Sequence, residues 1–333
     1  MNGHISREVL AQPAKRAARV IARARLDAVR AAYNGIDTDS ADALHDLRVG
    51  LRRLRSWLRA FRPELDDTVR GKTRRRLRDL THATNAARDI EVWLEWIAAQ
   101  TGLSPRAKSG QRSVVKWLRL DGDRQRRKAM KRIHNRLPSL LAALEGELST
   151  YTASVPAEGA GAAEPTMADA MVELIRGHHQ RFVRRTDRVR STTDVGAIHR
   201  CRIAAKRLRY LLEALDEFPQ ATAATEQLVA LQDWLGTVRD LRLFVDRIVE
   251  RIGVIGMIEA RRRAAKALHV DTDTDEAPSS SLARVRPGML VLAKRARHES
   301  DDAFDAFRAA WDQPRLDAIA RSLDELIETL GSA

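Results

Sequence analysis

Two stretches of this 333-residue chain repeat one another. Residues 43–58 read ALHDLRVGLRRLRSWL and residues 197–212 read AIHRCRIAAKRLRYLL. An offset of 154 sets His45 against His199, Arg48 against Arg202, Arg52 against Lys206, Arg53 against Arg207, Leu54 against Leu208 and Arg55 against Arg209. A second set follows in the same order at an offset of 151, where Leu77, Leu80, Arg88, Asp89 and Ile90 correspond to Leu228, Leu231, Arg239, Asp240 and Leu241. Two elements in one order with a small change of offset mark a duplicated unit. Self-similarity at a fixed spacing constrains a fold more than any single motif does.

Both copies carry helical periodicity. His45, Arg48, Arg52, Arg55 and Arg59 follow one another at intervals of three, four, three and four, so at about 100° per residue they form one stripe. Leu44, Leu47, Leu51, Leu54, Leu58 and Phe61 form the neighbouring stripe. The second copy repeats this with His199, Arg202, Lys206 and Arg209 beside Ile198, Leu208, Leu212 and Leu215. Aromatic residues make up only 5% of the chain, and Ala, Arg, Leu and Asp dominate, which favours helices and excludes an all-β sandwich. The expected fold class is all-α.

The stretch 152–166, TASVPAEGAGAAEPT, has the Pro, Gly, Ala and Ser content of a linker, which divides the chain into a first repeat over 1–151 and a second over 167–333. Four helices are expected in each. In the first they are 9–33, 40–61, 67–99 and a long, breakable segment over 108–148; in the second, 167–190, 195–218, 221–252 and 289–330. An insertion around 254–288 interrupts the second repeat, with an additional helix over 256–269, an acidic loop over 271–281 and a further break at Pro287-Gly288.

Charge narrows the function. Residues 1–150 hold 32 Lys and Arg against 17 Asp and Glu, and the remainder holds 27 against 28, so the first half supplies the basic field of a chain carrying +14 overall. Such a field recruits polyanions and opposes cationic substrates. The single cysteine, Cys201, allows no internal disulfide, and no Cys/His spacing suits a structural zinc site. No apolar run is long enough to span a bilayer, and residues 1–32 carry Arg or Lys where a signal peptide needs an apolar core. A cytoplasmic location, without membrane partners, is expected.

Acidic residues at i+4 are scarce along 48–62, so the arginines of the first stripe repel one another unless an anion compensates them. Packing explains why a repeat keeps its leucines; it gives no reason to keep a matched His and Arg stripe. In the basic run 124–136, Lys128 and Arg132 share a face at i and i+4, and Arg308 is a counterpart of Arg132. The run from Arg70 to Arg78 circles its helix and reads as half solvated surface. The Arg88-Asp89 and Arg239-Asp240 pairs suit helix contacts as well as they suit ligand binding. No P-loop, HExxH, GxSxG or dinucleotide fingerprint occurs, nor an ExExK array, so no catalytic residue, metal or cofactor is expected.

The two signature segments resemble those of the CHAD family, the conserved histidine α-helical domain. The resemblance extends over nearly the whole chain and includes its duplicated organisation. It implies two four-helix bundles related by a pseudo-twofold axis, with a basic central channel that binds inorganic polyphosphate. His45, Arg48, Arg52, Arg53 and Arg55, with His199, Arg202, Lys206, Arg207 and Arg209, occupy the matching motif positions, and Arg59, Lys128, Arg132 and Arg308 extend the basic surface. The expected function is non-catalytic polyphosphate binding, with association with polyphosphate granules as its candidate setting. Nucleic-acid binding is the principal alternative, nonspecific attraction at low salt being expected of any such surface, and a polyphosphate phosphohydrolase is the next.

Overall fold

The structure is a computed structural model that describes residues 5–36, 41–149, 164–268 and 279–332. Twelve helices occur among them: α1 (Arg7–Leu10), α2 (Ala14–Asn34), α3 (Ala41–Ala60), α4 (Arg62–Leu65), α5 (Gly71–Ala83), α6 (Asn85–Ala98), α7 (Pro105–Ser149), α8 (Met167–Thr186), α9 (Val195–Leu212), α10 (Pro219–Ala267), α11 (Ser279–Ala310) and α12 (Gln313–Gly331). Among the described residues there is no strand beyond an isolated bridge between Pro13 and Thr166, and the fold is all-α as the composition requires. No helix among them is long and apolar enough to cross a membrane.

Several boundaries differ from those expected. The helix read over 67–99 is two, parted at Thr84, a fully buried residue whose hydroxyl donates to the Thr81 carbonyl at 3.0 Å and accepts from Arg48 Nε at 3.2 Å. The segment over 108–148 is one helix that runs through Pro138. The separate helix expected over 256–269 is the continuation of α10, and the Pro287-Gly288 break lies inside α11. The expected linker falls almost wholly outside the described residues. Its last residue, Thr166, closes a capping box on α8: its hydroxyl accepts from the Asp169 amide at 3.1 Å, and the Asp169 carboxylate accepts from the Thr166 amide at 2.9 Å.

The chain forms two compact units. The first comprises the described residues within Met1–Thr84, Lys128–Asp233 and Ala309–Ala333; the second is built from Asn85–Arg127 and Trp234–Arg308. Each sequence half therefore contributes to both units, and the two signature helices, α3 and α9, share the first.

In the first unit α3 packs on α2, α5 and α9, and α9 packs on α8. The apolar stripe foreseen for α3 is inside throughout, with Leu47, Leu51, Leu54 and Phe61 fully buried. On α9 the matching positions Ile198, Cys201, Ala205, Leu208 and Leu212 are buried as well, as is Leu215 beyond its end. Each buried leucine contributes up to about 1.5–3 kcal/mol, an upper figure because the unfolded chain already hides some apolar surface.

The second unit has its own core, in which Trp93 and Ile97 of α6, Leu118 of α7, Phe244 of α10 and Leu292 of α11 meet. Here Arg239 pairs with Asp89 at 3.2 Å and with its neighbour Asp240, and Trp93 Nε1 donates to the Asp240 carbonyl at 2.8 Å. Burial works against the Arg239 charge, but the two carboxylates outweigh it and hold its pKa above the ordinary value. The Arg-Asp motif of the repeat thus fixes helix contacts here.

Pro287 is carried inside α11 next to a close helix crossing. A Cβ on Gly288 would lie 2.7 Å from the Gly110 Cα, and one on Gly110 would lie 2.5 Å from the Gly288 Cα, so the crossing of α7 and α11 requires glycine on both sides. Gly110→Ala should therefore destabilise the protein by about 1–2 kcal/mol through overpacking. Urea unfolding would read this as a lowered midpoint, and an unchanged midpoint would show that the helices can part freely.

Candidate anion-binding site

The first unit gathers cationic side chains from four helices. Arg55 and Arg59 come from α3, Arg78 from α5, Arg181 from α8 and Arg207 from α9. Burial first, and then Arg59, Arg181 and Arg55, push the Arg207 pKa down to about 10. Arg55 is lowered by burial and then by Arg59 and Arg78, against a small opposing effect of Asp79. His82 on α5 is lowered by burial, Arg55 and Arg78. His178 on α8 is buried; that burial, followed by Arg181, Arg207 and Arg59, brings its pKa to about 4. Among the described residues no carboxylate forms an ion pair with Arg55, Arg59, Arg181 or Arg207. Asp79 is engaged by Arg78 at 3.0 Å, so the guanidiniums that depress one another's pKa outnumber the acid beside them and form a site that an anion would stabilise.

A groove of about 360 Å³ opens beside this cluster, lined by Arg55, Arg59, Arg62, Arg75 and Arg78, with Asp66 as its one acid. Arg74 also borders it but is committed to the fold. Its guanidinium donates to the Leu65 carbonyl at 2.9 Å, to the Val69 carbonyl at 3.1 Å and to the Leu58 carbonyl, tying the end of α3 to α4 and α5. The start of α5 is held by the buried Glu147, which accepts from Thr73 Oγ1 and Arg70 Nε, each at 2.7 Å, and from the Arg70 amide at 3.2 Å. An anion at a helix N-terminus also suits the helix dipole.

The remaining expected residues have distinct settings. Arg52 and Arg209 lie over the Tyr210 ring, at 5.7 and 5.0 Å from its centroid, so a residue that reads as packing also props two stripe arginines. Arg53 Nε is 3.5 Å from Glu213 Oε2, and Arg209 Nε is 3.3 Å from Oε1 of the same carboxylate. Arg48 is tied to Thr84 at the α5/α6 joint. Arg202 and Lys206 are half-buried on α9, whereas His45, His199, Lys128 and Arg132 are exposed. All of these belong to the first unit. Arg308 is exposed and belongs to the second.

Arg181, His82 and His178 are the members that sequence reasoning passes over, and Arg78 is one that it reads as part of a half-solvated surface. Trp57, in contrast, is a core residue as its helical phase implies: it is buried, donates to the Ala18 carbonyl at 2.9 Å and carries Arg25 over its ring at 4.6 Å.

The family model of the CHAD domain matches residues 20–249, and the chain belongs to that family. Two solved structures share its fold. The crystal structure of the CHAD domain from the plant Ricinus communis matches with a TM-score of 0.60 at 19% identity, over 97% of this chain and 96% of that one. PptA from Streptomyces chartreusis matches with a TM-score of 0.62 at 18% identity, over 90% of this chain and 99% of that one. No curated protein matches the chain.

Proposed function

We propose that this protein binds inorganic polyphosphate without turning it over, and that Arg55 and Arg59 of α3 and Arg207 of α9, joined by Arg78 and Arg181, form the grip. The observation that carries this reading is the cluster in which the half-buried Arg55 and Arg207 and the exposed Arg59 and Arg181 have no carboxylate in an ion pair among the described residues, with Asp79 engaged by the neighbouring Arg78 at 3.0 Å. Polyphosphate presents about one negative charge per phosphate and no bases, so its binder needs closely spaced cations and no stacking platform. Arginine suits the task because its planar donors bridge phosphate oxygens in pairs and its charge persists across physiological pH. The large rings beside the stripes, Trp57 and Tyr210, are buried and offer bases no exposed face, which favours polyphosphate over single-stranded nucleic acid.

The test is a competition at about 0.15 M salt among long polyphosphate, RNA and ATP, accompanied by an orthophosphate assay with and without magnesium. Long polyphosphate is expected to win. With six or more phosphates neutralised, its affinity should fall about a thousandfold between 50 and 200 mM salt through release of condensed counterions. Preference for RNA under these conditions, or sustained protein-dependent release of orthophosphate, would overturn the reading.

A further inference from the structure

Where α3 packs on α9, two arginines share one aromatic ring. The guanidinium carbon of Arg52, from α3, lies 5.7 Å from the centroid of the Tyr210 ring, and that of Arg209, from α9, lies 5.0 Å from it. Tyr210 is 6% exposed, and its hydroxyl is closed off from water with no hydrogen-bond partner among the described residues, so the face of the ring is what it offers its neighbours. Both arginines are half-buried. Arg209 Nε also approaches Glu213 at 3.3 Å, whereas Arg52 has no ion pair among the described residues. At the offset of 154, Arg52 corresponds to Lys206 and Arg209 to Arg55, but Tyr210 corresponds to Ser56. The first copy of the repeat therefore puts no ring at the equivalent position.

Resting on the polyphosphate reading, we infer that Tyr210 is a positioning residue, whose ring holds Arg52 and Arg209 as a further point of contact for the polymer, and that it acts through its π face and not through its hydroxyl. Two like charges brought to one place repel, and long side chains left free must be immobilised when a ligand binds. A shared ring answers both costs. Its negative face attracts each guanidinium, more strongly where water is partly excluded, and the contact limits the rotamers that the two can take. Stacking uses the flat face of a guanidinium, whereas a phosphate oxygen is met in the plane of its N–H groups, so the ring does not compete with the ligand. Because the arginines come from different helices, a ring that holds both also fixes the separation of a cation on α3 from one on α9.

The charge on the ring face can be changed without changing the ring's shape. Tyr210→Phe keeps the π face and loses only a hydroxyl without a partner, so it should leave the affinity of the full chain for long polyphosphate at about 0.15 M salt within twofold. Phenylalanines carrying one, two and three fluorines at position 210 drain negative charge from the face in steps while still filling the core. Affinity should fall stepwise along that series, to about tenfold weaker for the trifluoro ring, with the urea midpoint unchanged or higher. In a chain that carries Arg52→Gln and Arg209→Gln the same series should be flat, because the ring then has no guanidinium to hold. Tyr210→Leu removes the face altogether and should weaken binding at least tenfold in the wild-type background and less than twofold in the double-glutamine background; it serves as the measurement should the fluorinated chains fold poorly. A ring that only packs would leave affinity indifferent to fluorine. Lost affinity in Tyr210→Phe, an affinity that does not fall with fluorination, or an equal fall in the double-glutamine background would overturn the inference alone. Failure of the wild-type chain to bind long polyphosphate at this salt would sink the functional reading together with it.

Discussion

Replacing Arg55 and Arg207 together by glutamine should weaken long-polyphosphate binding on the order of a hundredfold at about 0.15 M salt, a loss of about 2.7 kcal/mol, while leaving the urea midpoint unchanged or higher. Loss of affinity with gain of stability is the signature of a binding site held against its own repulsion. In the empty protein both guanidiniums are desolvated and surrounded by Arg59, Arg78 and Arg181, which is why both are easier to deprotonate than a free arginine. Removing them relieves that repulsion without breaking an ion pair, since neither has one among the described residues, and relief of this kind commonly contributes up to about 1 kcal/mol. Arg53 with Arg62 makes the matched pair for comparison: the same two charges leave, but each has a carboxylate partner, Glu213 and Asp66. If both double variants lose affinity equally, net charge drives binding and the cluster has no special role. Arg74 would be a poor control because its three carbonyl bonds make it structural.

The signature helices were legible in the sequence because the three-four spacing determines what faces inward. Every leucine read as core on α3 is buried, and the basic stripe beside it is at least partly exposed. The joint at Thr84 was not legible, since apolar periodicity continues across it and the break rests on hydrogen bonds from a buried hydroxyl and to it from Arg48, 36 residues earlier. Pro287-Gly288 misled in the opposite direction. Punctuation that usually ends a helix here accompanies a crossing tight enough to forbid a Cβ. The grouping of the chain was hidden for a related reason: a repeat gives the order of elements, but not that both signature helices join one compact unit while pieces of each half build another.

The candidate site divides along similar lines. Arg55 and Arg59 stood in the first stripe and Arg207 at a motif position beside the second, but which arginines keep their charge unneutralised depends on tertiary partners such as Glu213 and Asp66. His178 and Arg181 lie on α8, outside the signature segments that the repeat singles out.

His178 carries the remaining prediction. Its folded pKa of about 4 lies below the ordinary 6.5, first through burial and then through Arg181 on its own helix, Arg207 on α9 and Arg59 on α3. Between those values the unfolded chain binds more protons at this residue than the folded one does, so stability rises with pH. The contribution is complete above about pH 6.5 and is lost as pH falls to about 4, where it amounts to about 3 kcal/mol for a buried imidazole. His178→Gln removes the titrating group, so subtracting its stability profile from that of the wild type isolates this window from the lowered histidines at 82 and 179. A bound polyanion neutralises the three arginines that oppose the imidazolium. It should therefore raise the His178 midpoint by a unit or more in a proton NMR titration, and polyphosphate affinity should increase as pH falls below about 6. A variant that retains the wild-type slope between pH 4 and 6.5 would remove His178 from the account of stability. A midpoint unmoved by saturating polyphosphate would show that the polymer does not reach the arginines around it.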